Sequence, residues 1–153
     1  MNVKIASRAA VEELLKGKFS QNVAVISFFD PETSIKKSKN PPVEYSGKCQ
    51  RVFKVGAPDI DLEVLRDYGL TYETFLPEAD DLAQFIYSVF EDGFDLICQC
   101  EYGQSRSAAC AAAILEHFYH TGIWVFADYR YYPNQVVFHK VYDALQKIKG
   151  EKS

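Results

Sequence analysis

The chain predicts an α/β layered domain, a central and largely parallel sheet flanked by helices. Three observations carry that expectation. Nearly continuous apolar runs, too hydrophobic for strands with one wet face, occur at 22–29 and 94–98. Segments with apolar residues at helical spacing follow such runs. The 153 residues hold no internal repeat, no low-complexity tract and no linker rich enough to divide the chain, so one domain over 1–153 is expected.

In chain order, residues 3–5 read as a short first strand. Ser7 then caps a helix with the stripe Ala9, Ala10, Val11, Leu14 and Leu15. Residues 22–29 (NVAVISFF) form a strand buried on both faces. From 30 to 48 the chain turns polar, with Pro31, Pro41, Pro42 and Gly47, and reads as a long irregular connection. Its Lys36, Lys37 and Lys39 make a modest basic run. Residues 51–55 are a third strand, 56–61 (GAPDID) a loop, and 62–68 a short helical piece.

Pro77 opens the next helix, with Glu78, Asp80 and Asp81 suited to its positive end. Leu82, Phe85, Ile86, Val89 and Phe90 form its apolar face, and Gly93 stops it. Residues 94–98 (FDLIC) are a further buried strand, followed by an Ala-rich helix over about 105–120. A last helix starts near Pro133, with Val136, Val137, Val141 and Leu145 turned inward. The charged tail at 147–153 is expected to fray.

Composition narrows the function classes. The chain is 48% hydrophobic and 14% aromatic, with a formal net charge of −4. No global basic field would hold nucleic acid or an anionic membrane, so neither is an expected partner. Any bound anion must be held by local geometry. No stretch reaches the ~18–20 apolar residues of a membrane span, and Glu12 and Glu13 interrupt the N-terminal segment, which is not a secretory signal. Four cysteines, irregularly spaced, read as reduced thiols of a cytoplasmic protein. Cys98 and Cys100 share one strand face, with Cys98 and Cys110 as packing residues. His117, His120 and His139 are dispersed, and no metal is expected. Residues 129–132 (YRYY), with Trp124, either line a cleft, bind a partner or pack as a loop over the sheet.

The chemistry is written in residues 96–113, LICQCEYGQSRSAACAAA. Five residues separate Cys100 from Arg106, and Ser107 follows at once. The segment leaves a buried strand and opens a helix. In such a unit the loop amides and helix N-terminus converge, making an anion site. The amides of Glu101, Tyr102, Gly103, Gln104 and Ser105, with a bidentate Arg106, would hold a phosphate dianion. The same positive potential favours the Cys100 thiolate, the reactive form. Gly103 permits a backbone conformation that a side chain resists, and the Ser107 hydroxyl can stabilise the thiolate.

These residues resemble the cysteine phosphatase superfamily, whose loop reads His-Cys-x5-Arg-Ser/Thr. The loop is similar to those of small bacterial members of the protein tyrosine and dual-specificity group. VAVISFFDPE (23–32), VGAPDI (55–60) and YYPNQVVF (131–138) resemble an early strand, the acid-bearing segment and the Pro-Asn helix start of those proteins. The resemblance implies a phosphotyrosine phosphatase-like fold and a two-step, metal-free and cofactor-free reaction. Cys100 forms a phosphocysteine, Arg106 and the loop amides stabilise the equatorial oxygens, and an aspartate protonates the leaving phenolate. The substrate is a phosphorylated protein or a small aryl phosphate.

The residues upstream leave the acid open among Asp59, Asp61, Asp67, Asp80 and Asp81. Asp59 is favoured, being in a loop after a strand and in the resembling Asp-Ile pair; Asp61 comes next. The family's histidine before the nucleophile is here Gln99, which can donate hydrogen bonds but cannot be cationic. Three functions therefore compete: a phosphotyrosine or dual-specificity phosphatase, a phosphate-binding pseudophosphatase, and sulfur transfer or arsenate reduction on a similar loop. Glu101 in the loop is expected to repel inositol lipids and polyphosphates.

Overall fold

A computed structural model describes residues 1–32, 40–45 and 47–152; the Lys36, Lys37 and Lys39 run lies outside the described residues. Its strands are β1 (Val3–Ser7), β2 (Val23–Phe29), β3 (Val52–Gly56) and β4 (Asp95–Cys100). They form one sheet in the order β1-β4-β2-β3, with every pairing parallel. Among the helices, α1 (Arg8–Lys16) follows β1 and α2 (Ala79–Glu91) precedes β4. After β4 come α3 (Arg106–Tyr119), α4 (Ile123–Ala127) and α5 (Gln135–Lys152).

Strand β2 shows why its sequence is apolar without alternation. Ala24, Ile26 and Phe28 enter the main core with Leu82, Ile86, Ile114 and Leu145 of α2, α3 and α5. Val25, on the other face, packs with Val11 of α1 and with Val43, Tyr45 and Ile97. Both faces are covered, so both sets of side chains are hydrophobic. Helix α3 is buried nearly all round: Ala109, Ala111 and Ala113 meet the main core, while Ala108 and Ala112 receive Val125 of α4. Alanines on both sides let the helix lie close to the sheet and to its neighbours.

Three expectations change. Strand β4 continues past residue 98 to Cys100, because Gln99 and Cys100 still pair with Ala6 and Ser7. Helix α4 had no sequence signal, being one short turn held by Val125. The C-terminal tail, expected to fray, is helical over its described residues. Helix α5 runs to Lys152, with Ile148 buried and with Lys147–Asp80 and Lys152–Glu91 ion pairs of 2.9 and 3.0 Å back to α2.

All four strands run the same way, so Ser7, Phe29, Gly56 and Cys100 end together at one edge of the sheet. In open parallel sheets that is where ligands bind.

Candidate active site

Strand β4 delivers Cys100 to the loop at 101–105, and α3 begins immediately after. The loop is fastened on both sides. On the β1 side, the Arg8 amide donates to the Glu101 carbonyl at 3.1 Å, and Arg8 Nε to Glu101 Oε2 at 2.7 Å. The Arg8 guanidinium also donates to the Pro41 carbonyl. Toward α5, the Tyr132 amide donates to the Gln104 carbonyl at 2.8 Å and the Asn134 amide to the Ser105 carbonyl at 3.2 Å. Gly103 sits at φ +67°, and a Cβ there would lie 2.7 Å from the Ser7 nitrogen and 2.8 Å from the Ala6 carbonyl carbon. Only glycine meets both conditions.

Glu101, expected to repel a polyanion, is paired with Arg8 and so takes part in the loop's own anchorage.

Cys100 is 2% exposed, with its Sγ 3.0 Å from Ser107 Oγ in the first turn of α3. Arg106, also at the start of α3, is 3% exposed. One of its terminal nitrogens donates to Asp30 Oδ1 at 2.7 Å and to the Ala57 carbonyl at 2.9 Å. Asp30 and Ala57 follow the ends of β2 and β3, so two strand ends fix one guanidinium. Arg106 Nε is buried and has no partner among the described residues. Ser105, at the N-cap, makes no side-chain bond to the helix, leaving the first-turn amides uncapped. A buried cation and uncapped amides around a cysteine are the ingredients of an oxyanion site.

The other thiols stand apart from this chemistry. Cys98 shares the core-facing side of β4 with Cys100, and its thiol is held well above the usual range, first by a hydrogen bond with Cys110 and then by burial. Gln99 points to the opposite face, fully buried. Its Oε1 accepts from Ser27 Oγ and, at 3.1 Å, from the Tyr45 hydroxyl. Burial pushes the Tyr45 phenol up to about 12, keeping it a donor.

The candidate acids separate cleanly. The Asp59 carboxylate is at the loop: its Oδ1 accepts from Ser105 Oγ at 2.7 Å and from Asn134 Nδ2 at 3.3 Å. Asp61 is instead a helix cap, accepting from the amides of Leu62, Gln135 and Val136 at 2.8, 2.9 and 3.1 Å. Asp80 pairs with Lys147, while Asp67 lies in a short 3-10 turn and Asp81 in the first turn of α2.

Asp30, Arg8 and Asn134 also bond to the expected site residues; on sequence Asn134 figures only within the Pro-Asn helix start, and Asp30 and Arg8 have no role. Asp30 carried a signal in retrospect, as the first polar residue beyond a buried parallel strand. Arg8 and Asn134 reach the loop only through the tertiary fold.

Tyr102, Tyr129 and Tyr132, with Trp124, are exposed; of these, Tyr102 is in the loop and Tyr132 is bonded to it. A cavity of about 660 Å³ lined by Lys18, Phe19, Lys48, Arg51 and Phe94 lies at the opposite edge of the sheet, remote from Cys100. Among the described residues, no group of three or more His, Cys, Asp or Glu side chains is arranged to hold a metal. Nor is any of their helices long and apolar enough to cross a membrane.

No protein-family model and no curated protein matches the sequence. Solved structures do match over nearly the whole chain. Human DUSP28 is 14% identical with a TM-score of 0.53, covering 97% of this chain and 94% of its own. Cydia pomonella PTP-2 phosphatase is 11% identical with a TM-score of 0.57, covering 94% and 85%. PTPMT1, in a complex with PI(5)P, is 14% identical with a TM-score of 0.53, covering 99% and 95%. At these identities the likeness is one of fold, and it does not single out the bacterial members of the group.

Proposed function

We propose that this chain, whose fold is that of the cysteine-dependent tyrosine and dual-specificity phosphatases, hydrolyses phosphotyrosine-like phosphomonoesters through a phosphocysteine. The observation that carries the reading is the placement of Cys100 against Ser107, at 3.0 Å, under a loop closed by buried Arg106.

In the first step the Cys100 thiolate attacks phosphorus. The loop amides from Glu101 to Arg106 and the Arg106 Nε–H meet the equatorial oxygens, where charge is spread in the transition state. Asp30 and the Ala57 carbonyl hold the guanidinium, so little reorganisation is needed when substrate arrives. Asp59 gives its proton to the leaving oxygen, then accepts one from the water that cleaves the phosphocysteine. Ser107 donates to the sulfur when it leaves as thiolate. With Glu101 neutralised by Arg8, loop charge no longer argues against a second phosphate on the substrate. The exposed rings of Tyr102 and Tyr132 beside the loop favour an aryl group. Reduced, buried thiols suit a cytoplasmic setting.

A second reading, a phosphate-binding protein without turnover, rests on Gln99, whose buried neutral amide replaces the family's histidine. Hydrolysis of an aryl phosphate by the wild type and by Cys100→Ser, with and without chelator, decides between them. Activity that resists chelator and disappears in the variant supports the phosphatase. Vanadate binding without hydrolysis across pH 5–8 establishes the second reading instead.

A further inference from the structure

We infer that Asn134 is a positioning residue for the acid, and that it determines which oxygen of Asp59 carries the proton. The inference rests on the phosphatase reading above and deepens it.

Asn134 is 4% exposed, and its polar groups are spent on three regions of the site. Its Oδ1 accepts from the Val137 amide at 3.0 Å, the bond of an N-cap at the start of α5. Its Nδ2 donates to the Ile60 carbonyl at 2.7 Å and to Asp59 Oδ1 at 3.3 Å. Its own amide donates to the Ser105 carbonyl at 3.2 Å. One residue thus ties the acid-bearing loop, the cysteine loop and the last helix together. Asp61 adds a second tether between the same loop and α5.

The arrangement is asymmetric at the acid. Asp59 Oδ1 accepts from both Asn134 Nδ2 and Ser105 Oγ. The Ser105 hydroxyl can turn and accept, but Asn134 Nδ2–H, held by the Ile60 carbonyl, can only donate; it opposes a hydrogen on Oδ1, so the carboxyl proton belongs on Oδ2. In the first step the S–P bond forms as the P–O(aryl) bond breaks, the bonding pair stays on the phenolic oxygen, and that oxygen takes the proton from Oδ2. In the second step water loses a proton to Oδ2, its oxygen bonds phosphorus, and the S–P pair returns to sulfur. Asn134 touches none of the reacting atoms. It acts by holding Asp59.

Asn134→Asp separates this role from helix capping. Aspartate caps a helix as well as asparagine does, but it has no Nδ2–H for Asp59 or Ile60. The test measures kcat/KM, which reports phosphocysteine formation and not its hydrolysis, for phenyl phosphate, whose leaving group needs a proton, and for 2,4-dinitrophenyl phosphate, whose leaving group does not. The ratio of dinitrophenyl to phenyl kcat/KM should rise about tenfold in Asn134→Asp, a fraction of the 10²–10⁴ that a general acid supplies. On an Asp59→Asn background the same substitution should leave the ratio where it is. Parallel losses on both substrates, or an unmoved ratio with an active wild type, would overturn the assignment alone. A wild type that turns over neither substrate would sink the phosphatase reading and this inference together.

Discussion

At Gly103 the absence of a side chain lets the loop after β4 lean on the last peptide units of β1. Gly103→Ala would place a residue in the left-handed region, at a cost of about 1–2 kcal/mol, and drive its Cβ into the Ala6–Ser7 backbone. Urea unfolding should show at least that loss, and kcat should fall at least tenfold as the loop amides leave their common focus. Cysteine reactivity makes a second test at this scale. Iodoacetamide at neutral pH should label Cys100 before Cys98, whose thiol is held up by Cys110 and burial; peptide mapping after brief labelling reads the order. Cys100, Arg106 and Ser107 were legible in the sequence because they flank one short loop, at the end of β4 and the start of α3, and spacing alone brings them together. Asp30 joins Arg106 across 76 residues, and Asn134 joins Asp59 across 75, so no local pattern announces either contact. Asp59 and Asp61 lie two residues apart. Which of them faces the loop is decided by α5, whose amides claim Asp61.

Helix α5 shows how an element depends on a residue outside it. Its first amides are capped by Asp61 and Asn134 rather than by a neighbouring serine or threonine. Asp61→Ala should therefore lower stability by about 1–2 kcal/mol, the range for a lost cap, seen as a lower Tm. Asp59→Asn should leave Tm nearly unchanged and depress kcat/KM for phenyl phosphate far more than for dinitrophenyl phosphate. The two substitutions thus separate a carboxylate that holds a helix from one that moves a proton. The strands, α1, α2 and α3 follow from apolar periodicity and caps, which are local. Helix α4 exists because Val125 finds Ala108 and Ala112, and the end of α5 because Ile148 is buried and two lysines reach α2. Such stabilisation comes from partners distant in sequence, so composition alone suggested a frayed tail.

Across the whole molecule, His117 sits where α2, α3 and α5 converge. Its Nε2 lies 2.6 Å from the Tyr87 hydroxyl, and the residue is 8% exposed. Burial lowers its pKa below the ordinary value of 6.5. The unfolded chain therefore binds a proton more readily than the native one over that interval. Stability rises with pH wherever the unfolded state holds more protons, so the full stability is present above pH 6.5 and is lost as pH falls toward the native pKa. Chemical denaturation at pH 7.5 and pH 5.5 should show the wild type losing more stability than His117→Gln, which removes the titration and keeps a polar partner for Tyr87.

Among the described residues, strand β1 pairs only with β4, in a register that joins Val3 to Leu96 and Ser7 to Cys100. Arg8 then meets Glu101, 93 residues further along. During synthesis that interval lasts roughly 5–20 s at 5–20 residues per second. Through it β1 has no strand to join, and Lys4 is the one charge among its five residues to discourage pairing with a stranger. The loop that follows β4 is thus assembled from two stretches of nascent chain made 93 residues apart. A ribosome halted before β4 emerges would hold a polypeptide with β2 and β3 able to pair, β1 waiting, and no anion-binding loop for Arg8 to fasten.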